Sequence, residues 1–252
     1  YSGNCKITFS LNKLENIEVE TISKIKEFLI NGKASKYEKE DFAIIIPKNY
    51  LKKGNNIIEI SYTANYDHTG SGLHQFTDPE DKEEYLYSNF EPYSAHRMFP
   101  CFDQPDIKAA YHLKVTSPKN WLIISNTSGK AKITGKAKIT EFKKTKKFST
   151  YLFHVSAGPY HAFEDKYGGM KIRIFCRKSL KKYFPVKEIF KVTKQGLSFY
   201  ERYFDFLYPF EKYDQIFVPE FNSLAMENVG AVTFAEKLIP RRKLTYTEES
   251  TL

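Results

Sequence analysis

Short runs of alternating apolar and polar residues, each closed by a cluster of Gly, Asn, Pro or Lys, occupy this chain from its start to about Ala157. A period of two puts successive side chains on opposite faces of an extended backbone, so the pattern predicts strands with one buried face and an antiparallel, all-β first domain. The clearest runs are 7–10, 42–47, 56–63 and 110–116, rich in β-branched and aromatic residues. Lys130-Ala-Lys-Ile-Thr134 recurs as Lys136-Ala-Lys-Ile-Thr140 across Gly135, which reads as a hairpin with one wet face. A mostly apolar run at 150–156 is taken as the domain's last strand, punctuated by Ala157-Gly158-Pro159. The domain boundary is placed near Gly168-Gly169, giving a first domain over 1–169 and a second over 170–252.

Beyond that boundary the period changes. Residues 170–175 read as a strand, and from Pro185 the positions Val186, Ile189, Phe190, Leu197, Tyr200, Phe204 and Leu207 follow helical spacing until Pro209. Proline suits a first helical turn and a helix exit because it lacks the N–H that a helix interior requires. Gly196 weakens the helix by about 1 kcal/mol, which packing must offset. Two more strands, 214–219 and 229–234, flank an Ala-Met-Glu-Asn segment, so an α/β unit begins here and is left unfinished. The apolar surface of such an open unit makes self-association an expectation.

The composition supports a packed body and excludes several classes. Hydrophobic residues make up 41% and aromatics 16% of 252 residues, too apolar for a disordered chain. No apolar run approaches the length of a bilayer span. The net charge of +9 is carried by lysines interspersed with Glu and Asp, as in Lys33-Ala-Ser-Lys-Tyr-Glu-Lys-Glu-Asp41, and reads as a solvated surface with no nucleic-acid partner. Cys5, Cys101 and Cys176 are distant and unpaired by spacing, which points away from a disulfide framework or thiolate metal site and toward a reducing, cytoplasmic compartment. The chain opens on Tyr1 without a secretory segment and stops at Leu252, and it is read as an excised piece.

Two segments carry chemistry. Ser88 to Pro105 contains Asn89-Phe90-Glu91-Pro92 and Phe99-Pro100-Cys101-Phe102-Asp103-Gln104-Pro105, a long loop dense in aromatics and charges and therefore expected to be fixed in place. A buried pair between Asp103 and Arg97 is expected to hold it. The second, Phe221-Asn-Ser-Leu-Ala-Met-Glu-Asn-Val-Gly230, lies between two strands. By itself it reads more readily as a β-bulge or plain edge strand with Glu227 in solvent than as a cleft edge. The histidines, His68, His74, His96, His112, His154 and His161, show no i, i+4 pair and no His-Glu-x-x-His, so structural or surface roles are expected for them. Nucleophile-elbow and phosphate-loop motifs are absent.

Taken together, these two segments and Tyr208-Pro-Phe-Glu-Lys-Tyr-Asp-Gln-Ile216 resemble the M1 family of zinc aminopeptidases, in the right order and over about 62–234. The resemblance implies a saddle-like antiparallel β-sandwich domain followed by the incomplete start of an α/β, thermolysin-like catalytic domain. It also implies zinc in the intact protein, with the ligands and general base beyond Leu252 and no metal or hydrolysis expected of this stretch alone. Peptides with a free N-terminus would be the substrates. Glu91 and Glu227 would grip the substrate ammonium through charge-assisted hydrogen bonds. Asn89, where the family usually has Gln, would line the first side-chain pocket, and Ser223, Leu224, Ala225, Met226 and Asn228 would line the substrate backbone. Leu224 stands where the motif has Gly, which puts side-chain preference in question. A leukotriene A4 hydrolase-like enzyme and a zinc-free M1-like scaffold are the alternatives, the intact Glu91 and Glu227 favouring the aminopeptidase.

Overall fold

A computed structural model describes residues 1–239. The chain divides into two compact units that are discontinuous in sequence, the first made of Tyr1–His74, Ser88–Ala109 and Lys147–Leu152, the second of Gln75–Tyr87, Ala110–Lys146 and the chain from Phe153 on. Mostly antiparallel strands build the fold.

In the first unit the longest pairing joins Ser2–Leu11 to Gly54–Thr63, ten residues in unbroken antiparallel register. Alternation decides which side of each strand is buried: Ile58, Ile60 and Tyr62 face inward while the residues between them stay half-exposed. Lys24–Ile30 and Lys33–Ala34 complete this sheet, and Ile17–Glu20, Ala43–Ile46 and Glu38–Lys39 form a second one. Side chains from both meet in one core of Val19, Phe28, Ile30, Ile44, Ile46, Ile58 and Ile60, against which Phe99 and Phe102 pack from the 88–105 loop. The loop is thus tied to the hydrophobic core of its own unit.

The second unit carries the lysine hairpin, with Gly129–Thr134 paired to Ala137–Phe142 across Gly135, whose φ of +60° is the left-handed conformation a tight turn requires. Its main layer is a five-stranded sheet in the order His161–Tyr167, Met170–Cys176, Lys212–Val218, Ala231–Ala235, Ala225–Met226. The turn at Gly168-Gly169 joins the first two strands as a hairpin. Met170–Cys176 and Lys212–Val218 run parallel, and parallel neighbours need a long crossover, here the helix Val186–Tyr203. Phe190 of that helix packs with Ile172, Ile174 and Phe217 of the sheet. No helix among the described residues is long and apolar enough to cross a membrane.

Three expectations of local structure are corrected. The helix ends at Tyr203 rather than near Pro209: Asp205 takes a left-handed φ of +48°, the Phe206 N–H bonds the Glu201 carbonyl at 3.0 Å, and the Glu201 side chain then accepts the Tyr208 N–H at 2.9 Å. Tyr203, Phe204, Phe206 and Leu207 consequently lie exposed. Residues 150–156 are not one strand, because Thr150–Leu152 is a short 3-10 turn closed on Ser149 and Val155–Gly158 is extended only after it. The strand expected from Ala110 begins at Lys114. Ile60, at 1% exposure in the core of the first unit, tests the packing: Ile60→Ala should lower unfolding free energy by about 2–5 kcal/mol, read from the shift of a urea midpoint.

Candidate functional site

The loop of the first unit is held by one buried carboxylate. Asp103 accepts the backbone N–H of His96 at 3.0 Å and its Nδ1 at 2.8 Å on one oxygen, and the Thr150 hydroxyl at 2.7 Å on the other. Its own N–H donates to Glu20 Oε2 at 3.2 Å, and Glu20 and Cys101 exchange backbone hydrogen bonds at 2.9 and 3.1 Å. Burial alone would raise the Asp103 pKa, but the bonds from His96 and Thr150 outweigh it and hold the carboxyl below its ordinary range. Burial pushes neighbouring Glu20 the other way, upward. The expected Asp103–Arg97 pair is not formed: Arg97 bonds Asp67 instead, which leaves Asp103 to the imidazole and hydroxyl beside it. Asn89, half-buried at the end of its strand, donates to the Gly70 carbonyl at 2.9 Å. Glu91 precedes a cis proline, is exposed, and has no side-chain partner among the described residues.

In the second unit Ala225–Met226 is the edge strand, pairing Ala225 with Phe234 and Met226 with Thr233. The Leu224 carbonyl accepts the Ala235 N–H at 2.9 Å. Leu224 and Ala235 therefore form a hydrogen-bonded pair, and the alternation of an antiparallel ladder turns the N–H and C=O of Ala225 toward the open edge. Ser223, Leu224, Ala225 and Glu227 are exposed, whereas Met226 and Asn228 are buried. Asn228 Nδ2 donates to Thr233 Oγ1 at 3.0 Å and lies 3.4 Å from His154 Nδ1, while His154 Nε2 meets the Ser156 hydroxyl at 2.8 Å. Asn126 ties the same region from behind, donating to the Val229 carbonyl and accepting the His154 N–H, each at 2.9 Å. Gly230 has φ of +66°, and a Cβ there would stand 2.6 Å from the Asn126 carbonyl oxygen. The segment is thus bolted at its C-terminal end and open at its strand edge, with Glu227 at the junction and no side-chain partner for it among the described residues.

Comparison with known proteins decides what this arrangement belongs to. The Peptidase M1 N-terminal domain matches residues 3–152, and the Peptidase family M1 domain matches 189–251. The chain belongs to peptidase family M1. Aminopeptidase N of Streptomyces lividans is 39% identical over 227 residues, covering 88% of this chain and 26% of that protein. Probable aminopeptidase 1 of Sulfurisphaera tokodaii is 31% identical over 243 residues, covering 95% of this chain and 30% of the relative. Tricorn protease-interacting factor F2 of Thermoplasma acidophilum is 32% identical over 206 residues, covering 82% and 25%. The chain thus spans between a quarter and a third of the length of these relatives. The M1 assignment agrees with the mostly β, antiparallel architecture followed by the start of a catalytic domain.

M1 peptidases are generally zinc-dependent, but the described residues of this M1 chain do not fit a zinc site, since no three His, Cys, Asp or Glu converge. His96 and His154 are committed to Asp103 and Ser156, and the His74 Nδ1 accepts the Gly70 N–H at 3.0 Å. The sequence pointed to the exposed residues of both segments and to a structural role for His154, but not to Asn126; both brace the second segment from positions beside strands far away in sequence. Two outcomes follow. Gly230→Ala should destabilise by at least about 1–3 kcal/mol through backbone strain alone, measured by thermal or urea unfolding. For Asp103, the depressed folded pKa means that the unfolded chain binds more protons below about pH 4, so the contribution is complete above that value and is lost as pH falls through the folded pKa. Asp103→Asn should therefore be less stable than the parent near neutral pH, by about 1–3 kcal/mol, and the gap should narrow in urea titrations near pH 3.

Proposed function

We propose that the whole protein releases N-terminal residues from peptides, and that this chain supplies the part that reads the free α-amine. A peptide α-amine has a pKa of about 7.7–8.0, so it is mostly an ammonium at neutral pH and a fixed carboxylate can select it. The observation that carries the reading is the junction at Glu227: an exposed carboxylate with no partner among the described residues stands two residues past Ala225, whose N–H and C=O face the open strand edge. An extended peptide adding to that edge would pair through its backbone, and Glu227 would take the ammonium at its end.

Within this reading Ser223, Leu224, Ala225 and Met226 form the wall along the substrate backbone, with the exposed Leu224 side chain available to influence residue preference. Asn228, buried against Thr233, would support the wall from behind. Glu91 and Asn89 enter through the motif in which they stand, Glu91 as a second carboxylate for the amine and Asn89 as a lining of the first side-chain pocket. The division at 169/170 into a β domain and the start of a catalytic domain, and a cytoplasmic setting, belong to the same reading. Zinc, held by residues outside those described, would polarise the scissile carbonyl and activate water.

The test uses the whole protein with an alanyl peptide and its N-acetylated twin, with and without a chelator. Cleavage confined to the free-amine peptide and abolished by chelation is expected. Glu227→Gln should lower kcat/KM roughly ten- to a hundredfold, the worth of a charge-assisted bond. Near-parent activity of that variant, or equal cleavage of the acetylated twin, would remove Glu227 from the amine site. A folded protein that cleaves neither peptide would turn the reading to a non-catalytic scaffold.

A further inference from the structure

The strand Lys212–Val218 is buried along almost its whole length, yet it begins with a lysine. Lys212 is 2% exposed and Asp214, two residues on and on the same face, is fully buried. The Lys212 ammonium donates to Asp214 Oδ2 and to the Gly230 carbonyl, both at 2.6 Å. Arg173, directly across on the neighbouring parallel strand, closes a two-point pair on the same carboxylate at 2.8 and 2.7 Å. The Asp214 N–H adds a second bond to the Gly230 carbonyl at 3.2 Å. That oxygen, three residues past Glu227, is therefore gripped by the side chain of one strand residue and the backbone of another.

A buried ion pair is a poor device for stability alone, because apolar residues of similar volume commonly serve as well or better. Its distinguishing property is direction. An ammonium shared between a carboxylate and one named carbonyl specifies a single position for that carbonyl, which apolar packing does not. The left-handed Gly230 and the Asn126 bond to Val229 hold the backbone before it, and the Ala231 N–H of the same peptide unit closes a turn on the Asn228 carbonyl at 3.0 Å, so the Lys212 contact anchors an already shaped turn and sets its reach along the sheet.

We propose that Lys212, backed by Asp214 and Arg173, is a positioning residue that locks the Gly230 carbonyl and so fixes the height at which Glu227 is presented beyond the strand edge. This deepens the amine-reading function proposed above and rests on it for its consequence in catalysis, though the locking itself does not. A carboxylate that holds the ammonium equally in the ground and transition states contributes uniform binding, so misplacing it raises KM and spares kcat. A merely structural lysine would instead reduce the amount of competent enzyme, lowering apparent kcat at unchanged KM.

The experiment compares the whole protein with Lys212→Met, a near-isosteric change that leaves Asp214 neutralised by Arg173. Hydrogen exchange of the amides from Ala225 to Ala231 should accelerate roughly tenfold or more while the rest of the sheet keeps its protection. KM for free-amine peptides should rise about tenfold with kcat within about twofold, and in a Glu227→Gln background the same change should add little, because both act through one contact. Unchanged exchange in that segment overturns the proposal, as does a fall in kcat at constant KM or full additivity with Glu227→Gln. If Glu227→Gln leaves KM unaltered, the amine-reading function fails, and the exchange measurement alone decides the locking. Should Lys212→Met not fold, Lys212→Gln, which keeps a shorter N–H donor, is put through the same measurements with the same expectations.

Discussion

A parallel strand buried between two parallel neighbours, Lys212–Val218, is the constraint from which the second unit follows. Its flanking strands cannot be reached by tight turns, so the chain must leave the sheet and return, once through the helix Val186–Tyr203 and once through the loop that ends in Ala225–Met226. The second return is too short for a helix. It lays down a two-residue antiparallel strand on the far side of Ala231–Ala235, and that strand becomes the sheet's edge. An open row of backbone donors and acceptors beside Glu227 is therefore a product of topology, made by a loop of limited length.

The acidic residues sort by what surrounds them. Asp103, Asp214 and Asp78 are buried, and each is met by several donors: His96 and Thr150 for the first, Lys212 and Arg173 for the second, Ser179 and Arg177 for the third. Arg177 reaches Glu236 as well, at 2.8 and 2.7 Å, so it clamps two acids of its unit at once. Buried carboxylates without such partners would carry a desolvation cost that the fold could not sustain. Glu91 and Glu227 stand in contrast, exposed and unengaged among the described residues, each at the end of a segment that is otherwise firmly held. Rigid backbone supporting an uncommitted charge is what selective recognition of a small cation requires, since neither group must break a bond before it can bind.

Much of this was legible in the residues. Alternation revealed the strands of the first unit because one face of each meets the core, and the Gly135 repeat revealed its hairpin because both arms share a wet face. Helical spacing located Val186–Tyr203 but overran its end, since Phe204 and Leu207 kept the apolar period after Asp205 had already turned the backbone. The strand expected at 150–156 failed for a different reason: the Thr150 hydroxyl is drawn to Asp103, a partner 47 positions away that no local pattern reports. Arg97 was matched to the wrong acid because nearness in sequence says little about which carboxylate the fold delivers, and Asp67 arrived first.

The sequence by itself determined the period-two and helical segments, the two motif-bearing stretches and the family to which they belong, because side-chain periodicity and the spacing of chemically distinct residues are local properties of the chain. Only the tertiary structure decided which polar residues were committed to the scaffold. Lys212 in the sequence is one lysine among many, and Asn228 is as plausible in contact with a ligand as Glu227 beside it. Burial separates them: Asn228 turns inward to Thr233 and Lys212 to Gly230, while Glu227 stays exposed with no partner among the described residues. That separation depends on contacts between strands distant in the chain, which exist only once the sheet has formed.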